Sequence, residues 1–81
     1  LNQRSMAAIE AACADREWVV RYAVAVALES LAQDLPPAHA LRCRAQEALT
    51  TLQQPSLEDT PVVRLRADLA LRRLNDRPGA S

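Results

Sequence analysis

The chain has no lysine and no phenylalanine, one glycine and one histidine, and Trp18 and Tyr22 are its only aromatic residues. Each scarcity excludes something. A single glycine, Gly79, cannot form the glycine-rich loop that cradles a phosphate. Two cysteines, Cys13 and Cys43, are too few for the disulfide framework of a small secreted fold. A reducing, cytoplasmic setting is the simpler expectation. His39 with two cysteines at these spacings makes no recognisable zinc set, so no metal site is expected. No paired catalytic carboxylates or nucleophile elbow can be read, and no catalytic residue is assigned. Ten arginines balance ten acids, for a net charge of zero. That argues against an electrostatic grip on nucleic acid or an anionic membrane. The longest apolar run, Trp18 to Leu28, is interrupted by Arg21 and is too short to span a bilayer. No leader segment is visible, and the opening Leu1 in place of Met suggests a processed or excised piece.

What is present is Ala, Leu and Arg, all strong helix formers. The valines sit inside helical patterns, so an all-α fold is expected. Helix one is read as Asn2 to Cys13. Helix two runs from Arg16 to Gln33, with Asp15 as its N-cap and Glu17 in its first turn. Leu35-Pro36-Pro37 stops it, because proline lacks the donor a continuing helix needs. Helix three starts near Pro37 and ends near Gln53. Residues 54–58 form a loop. Helix four begins at Asp59 or Thr60, with Asp59 as cap and Pro61 harmless in the first turn, and ends near Asn75. One domain over 1–76 is expected, with hairpins at 2–33 and 37–75 and a flexible tail at 77–81.

The pattern also repeats. At an offset of 43, Val19-Val20-Arg21 falls on Val62-Val63-Arg64, Ala27-Leu28 on Ala70-Leu71, and Leu31 on Leu74. That is six identities over the thirteen positions 19–31. Tyr22 falls on Leu65, Val26 on Leu69, Met6 on Leu49, Ile9 on Leu52 and Asp15 on Glu58. Each unit is a helix, a short turn with an acid, and a helix opening Val-Val-Arg. This is the signature of stacked helical hairpins. Helix two has an apolar stripe, Val20, Ala23, Val24, Ala27, Leu28 and Leu31, to cover its hairpin partner. A second stripe, Trp18, Val19, Tyr22 and Val26, is left to face a neighbour. In helix four, Val63, Ala67, Ala70, Leu71 and Leu74 face inward while Arg66, Asp68, Arg72 and Arg73 point elsewhere. Charge is graded along the chain. Residues 1–35 carry three arginines against five acids, and residues 59–81 carry five against three. Opposite ends of this kind suit head-to-tail neighbours.

The phrases Asp15-Arg16-Glu17-Trp18-Val19-Val20-Arg21 and Asp59-Thr60-Pro61-Val62-Val63-Arg64 resemble HEAT-like repeats, most closely those of phycobilisome lyases. An acid ends the inter-helix turn and an arginine follows about six residues later, as in Asp15 with Arg21 and Glu58 with Arg64. The run from Trp18 to Leu31 looks like a repeat of the E/F-type phycobilin lyase family, although the 43-residue unit is longer than usual for this class. The resemblance implies an α-solenoid of antiparallel hairpins. It also implies a protein-interaction role in attaching bilins to phycobiliproteins, and a parent protein that is itself a phycobilin lyase. The partners implied are a phycobiliprotein subunit, a second lyase subunit, or neighbouring repeats of a longer protein. No bound cofactor is expected beyond a transient open-chain tetrapyrrole, a phycobilin. A general HEAT-like adaptor with no pigment role is the alternative.

Candidate residues carry two readings each. Arg21 and Arg64 either set register by pairing with Asp15, Glu58 or Asp59, or hold a bilin propionate through a forked contact. Trp18 and Tyr22, four apart on one helix face, form either an inter-repeat wedge or a platform for a partner helix or flat pigment. His39 reads as a solvated residue in the first turn of helix three. A pair with Cys43 would lack the third group that orients a dyad. Both cysteines are expected on apolar faces, where burial raises a thiol pKa and quiets it. Arg66, Arg72, Arg73 and Arg77 read as a solvated face or, alternatively, a docking site for an acidic client.

Overall fold

The computed structural model describes residues 2–55 and 58–76, and every regular element among them is a helix. Four follow one another: α1 (Gln3–Ala12), α2 (Trp18–Gln33), α3 (Ala40–Gln53) and α4 (Pro61–Asp76). Ser56 and Leu57 of the expected loop, and the expected flexible tail 77–81, lie outside the described residues.

The helix starts show how local chemistry moved the expected boundaries. Asn2 caps α1, its side chain accepting from the Ser5 N–H at 2.8 Å. Asp15 does not cap α2. Its carboxylate accepts the Glu17 N–H at 2.8 Å and closes a turn of its own, so α2 starts only at Trp18. Glu17 occupies the N-cap position without a side-chain bond to the helix. Helix α3 begins at Ala40 rather than near Pro37. The His39 N–H bonds to the Pro36 carbonyl at 2.9 Å, which ties 36–39 into a turn. His39 then caps α3, its Nδ1 accepting from the Leu41 N–H at 3.0 Å. Before α4 it is Glu58, not Asp59, whose carboxylate accepts the Thr60 N–H, at 3.0 Å.

The core is one cluster. Met6 comes from α1, and Val24, Ala25, Leu28 and Ala32 come from α2. Leu41, Ala45, Leu49 and Leu52 of α3 meet Val63, Ala67, Ala70 and Leu74 of α4. These spacings of three and four residues put each set on one helix face. Five of the thirteen are alanine, so helix backbones approach closely where they meet. Helices α2, α3 and α4 pack on one another; α1 packs on α2 and α3 and does not touch α4.

Helices α2 and α4 lie side by side and run the same way. Arg21, near the start of α2, reaches Glu58 and Thr60 just before α4. Glu29, two turns further along α2, reaches Arg66 and Arg73 along α4. In α1 and α3 the offset of 43 is not the pairing seen. Glu10 would fall opposite Gln53, but it binds Arg44, with Nε 3.1 Å from Oε2.

Candidate functional site

The site is assembled where the turn before α2 meets the turn before α4. Arg21 enters from the first turns of α2 with its side chain only 13% exposed. Its Nε donates to Glu58 Oε1 at 2.6 Å and its Nη2 to Glu58 Oε2 at 2.9 Å, a forked, charge-assisted pair. Nη2 also donates to Thr60 Oγ1 at 3.1 Å, and Nη1 donates to the Asp15 carbonyl at 2.7 Å. Four of the five guanidinium N–H groups are therefore engaged. The fork that would grip a propionate is occupied by Glu58.

The electrostatics follow from this enclosure. Burial pushes the Glu58 carboxyl pKa up. Hydrogen bonds from Arg21 and the Thr60 N–H, with the Arg21 charge, overcome that and hold it below the ordinary value. The bond to Glu58 in turn raises the Arg21 pKa. Exposed Asp59 stands 3.6 Å from Arg21 Nη2. An open depression of about 470 Å³ lies beside the pair, lined by Cys13, Asp15, Arg21, Pro55, Glu58 and Asp59 among others.

Of the acids expected as partners, Arg21 pairs with that of the following hairpin. Arg21 takes the backbone carbonyl of Asp15, while the carboxylate it binds is Glu58, 37 residues on. Arg64 repeats the local half of this pattern, its Nη1 donating to the Glu58 carbonyl at 2.8 Å, again six residues back. The acids match too: Asp15 accepts the Glu17 N–H and Glu58 the Thr60 N–H, each two residues on. The offset of 43 is thus a repeat of hydrogen bonds as well as of letters. The Arg64 Nε and Nη2 have no partner among the described residues.

Trp18 heads α2 and is 47% exposed. Tyr22 packs against the core at intermediate burial. Cys43 is exposed, contrary to the apolar face expected for it. The Cys13 thiol faces the Ile9 carbonyl at 3.8 Å, and burial, then the charge of Glu10, raises its pKa. Among the described residues no group of His, Cys, Asp or Glu could hold a metal ion, and no helix is long and apolar enough to cross a membrane.

Arg72 and Arg73 are exposed, as a solvated face requires, but Arg66 is not. Arg66 turns back onto α2, its Nη2 2.7 Å from Glu29 Oε1, an ion pair without hydrogen-bond alignment. Arg73 reaches Glu29 Oε2 at 3.5 Å, and Arg72 pairs with Asp68 within α4. Arg77 lies outside the described residues. Glu29 itself, 4% exposed, was overlooked in the sequence, as was Arg42, 6% exposed, which donates to the Leu35 and Leu74 carbonyls. A signal for Glu29 existed. It stands four residues after Ala25 and three before Ala32, on the face that α2 buries, where an acid needs a partner. That face is turned from the stripe read in the sequence, since Ala23 is exposed while Ala25 and Ala32 are buried.

Among the described residues the exposed large apolar side chains are Trp18, Val19, Val26, Val62, Leu65 and Leu69. All six lie on α2 or α4, and Val19 and Val26 are the 43-residue counterparts of Val62 and Leu69. Two parallel helices thus carry matched apolar side chains.

No family model matches the chain, and no solved structure matches it. It is similar to the bilin biosynthesis protein RpcF of Synechococcus sp. (strain WH8020), with 43% identity over 72 residues. The similarity covers 89% of this chain and 33% of that protein, so the chain spans about a third of its relative's length.

Proposed function

We propose that the chain is two stacked hairpins of a HEAT-like α-solenoid of the phycobilisome-lyase type. In this reading it is a scaffold that holds a phycobiliprotein subunit while a bilin is attached. The apolar side chains shared by α2 and α4 carry the reading. Exposed apolar side chains gathered on one pair of helices, with none on α1 or α3, mark an interaction face. The array itself is supported by parallel α2 and α4, by the separation of α1 from α4, and by the repeated bonds of Arg21 and Arg64. Similarity to a bilin biosynthesis protein over most of the chain supports the pathway.

The mechanism is presentation. A helical client lays apolar side chains across Val19, Val26, Val62, Leu65 and Leu69, and Trp18 adds an aromatic ring at one end. Each Å² of apolar surface removed from water contributes about 25 cal/mol. Arg21 and Glu58 keep the two helices in register beneath the client. A phycobilin reaches this surface only transiently, carried by the client, and bond formation at the pigment belongs to the whole lyase.

Calorimetric titration of the chain with an apo-phycobiliprotein subunit tests this. Binding is expected, and Leu65→Ser with Leu69→Ser should weaken it at least tenfold with unchanged helix content. No heat at high protein concentration, or a double variant that binds like the parent, rejects the reading.

A further inference from the structure

We infer that the chain docks head to tail with a second copy of itself, the unfilled fork of Arg64 receiving the carboxylate of Asp15. The inference rests on the array reading above and extends it beyond one chain.

The two turns are equivalent in their hydrogen bonds. Asp15 gives its carbonyl to Arg21 and its carboxylate to the Glu17 N–H. Glu58 gives its carbonyl to Arg64 and its carboxylate to the Thr60 N–H. One element distinguishes them. Glu58 also receives the fork of Arg21 from the preceding hairpin, whereas Asp15, exposed, has no arginine fork among the described residues. At the other end, Arg64 Nε and Nη2 have no acid among the described residues. The described hairpins therefore present an open donor at α4 and an open acceptor at the turn before α2. Repeating the relation between its own hairpins brings the two together across copies.

The neighbouring groups fit that placement. Glu17 of the incoming copy takes the position of Thr60, adding a second carboxylate near Arg64. Arg16 takes the position of Asp59, which is the solvent-facing place in the turn, with Asp59 95% exposed. Arg66, Ala70 and Arg73 form the face of α4 that meets α2. Their counterparts 43 residues earlier are Ala23, Ala27 and Ser30, with no bulk to hold a helix away. The net charge of the two ends, negative over 1–35 and positive over 59–81, has the required sign. A contact of this kind is heterologous, and it builds a ring or an open filament rather than an isologous pair.

Sedimentation of the 81-residue chain across concentration reads the prediction. Association should rise with concentration and weaken with salt. Arg64→Asp and Asp15→Arg should each reduce the association constant at least tenfold. Mixing the two variants should restore it, because each then finds an opposite charge at both ends, a rescue that damaged folding would not show. A wild-type chain that stays monomeric to about 1 mM, or a mixture no stronger than its components, overturns the inference and assigns the open ends to other polypeptides. Client binding by such a monomer would leave the scaffold reading standing.

Discussion

The guanidinium of Arg21 grips both carboxylate oxygens of Glu58, at 2.6 and 2.9 Å, across 37 residues of sequence. Glu58 is 3% exposed, so the pair is largely withdrawn from water at the junction of two turns. Breaking such a pair strands a charge, and the cost is about 3 kcal/mol. Arg21→Ala and Glu58→Gln should each lose about that much in urea unfolding. Arg21→Lys should recover only part of it, because an ammonium cannot make the fork. A loss below about 0.5 kcal/mol in both single variants would show that the junction is not held this way.

The same carboxylate gives stability a pH dependence of known sign. The Glu58 pKa is held below its ordinary value in the fold, so the unfolded chain takes up the proton first as pH falls. Its contribution is complete above the unfolded value of about 4.3 and is lost as pH drops through the lower folded value. Urea midpoints measured from about pH 6 down to pH 2 should fall, and Glu58→Gln should flatten that slope. An equal slope in the variant would assign the acid sensitivity elsewhere.

Glu29 is a second tie between α2 and α4, and it is buried more deeply than most acids. Removing it leaves Arg66, 14% exposed, without its partner. Glu29→Ala should cost about 3 kcal/mol. Replacing both residues with methionine should restore most of that, because a packed apolar pair carries no desolvation penalty. If the double variant is as unstable as Glu29→Ala, the pair contributes more than mutual neutralisation.

Helix α1 is the least anchored. Met6 is its one fully buried residue, and Ile9 and the Glu10–Arg44 pair add partial contacts. Met6→Ala should cost about 2–5 kcal/mol. Amides of α1 should exchange with solvent faster than those of α2 or α4, and Met6→Ala should widen that gap. Protection in α1 equal to that in α4 would contradict the packing described here.

Much of this was legible because its causes are local. Apolar residues three and four apart marked four helices, the proline pair at 36–37 marked a stop, and the recurrence of Val-Val-Arg after an acid marked the repeat. Helix starts were less legible, because Asp15 and His39 each have two ways to spend a polar side chain. Asp15 closes its own turn, and His39 caps where a solvated residue was expected. Spacing alone puts Arg66 opposite the apolar stripe of α4, and the partner that draws it inward lies 37 residues away on α2. Glu29 and Arg42 are bound to groups far along the chain, Arg66 and the Leu74 carbonyl, which spacing within one helix does not reveal. The Arg21 pairing was half legible: the acid–arginine spacing was visible, but a sequence does not say which repeat's acid an arginine will choose.

The most direct test maps where a client sits. Amide chemical shifts of the isotope-labelled chain, followed during titration with an apo-phycobiliprotein subunit, report the contacted residues. The account predicts shifts at Trp18, Val19, Val26, Val62, Leu65 and Leu69, with α3 unmoved. Shifts concentrated on α1 and α3, or none at saturating subunit, would contradict it.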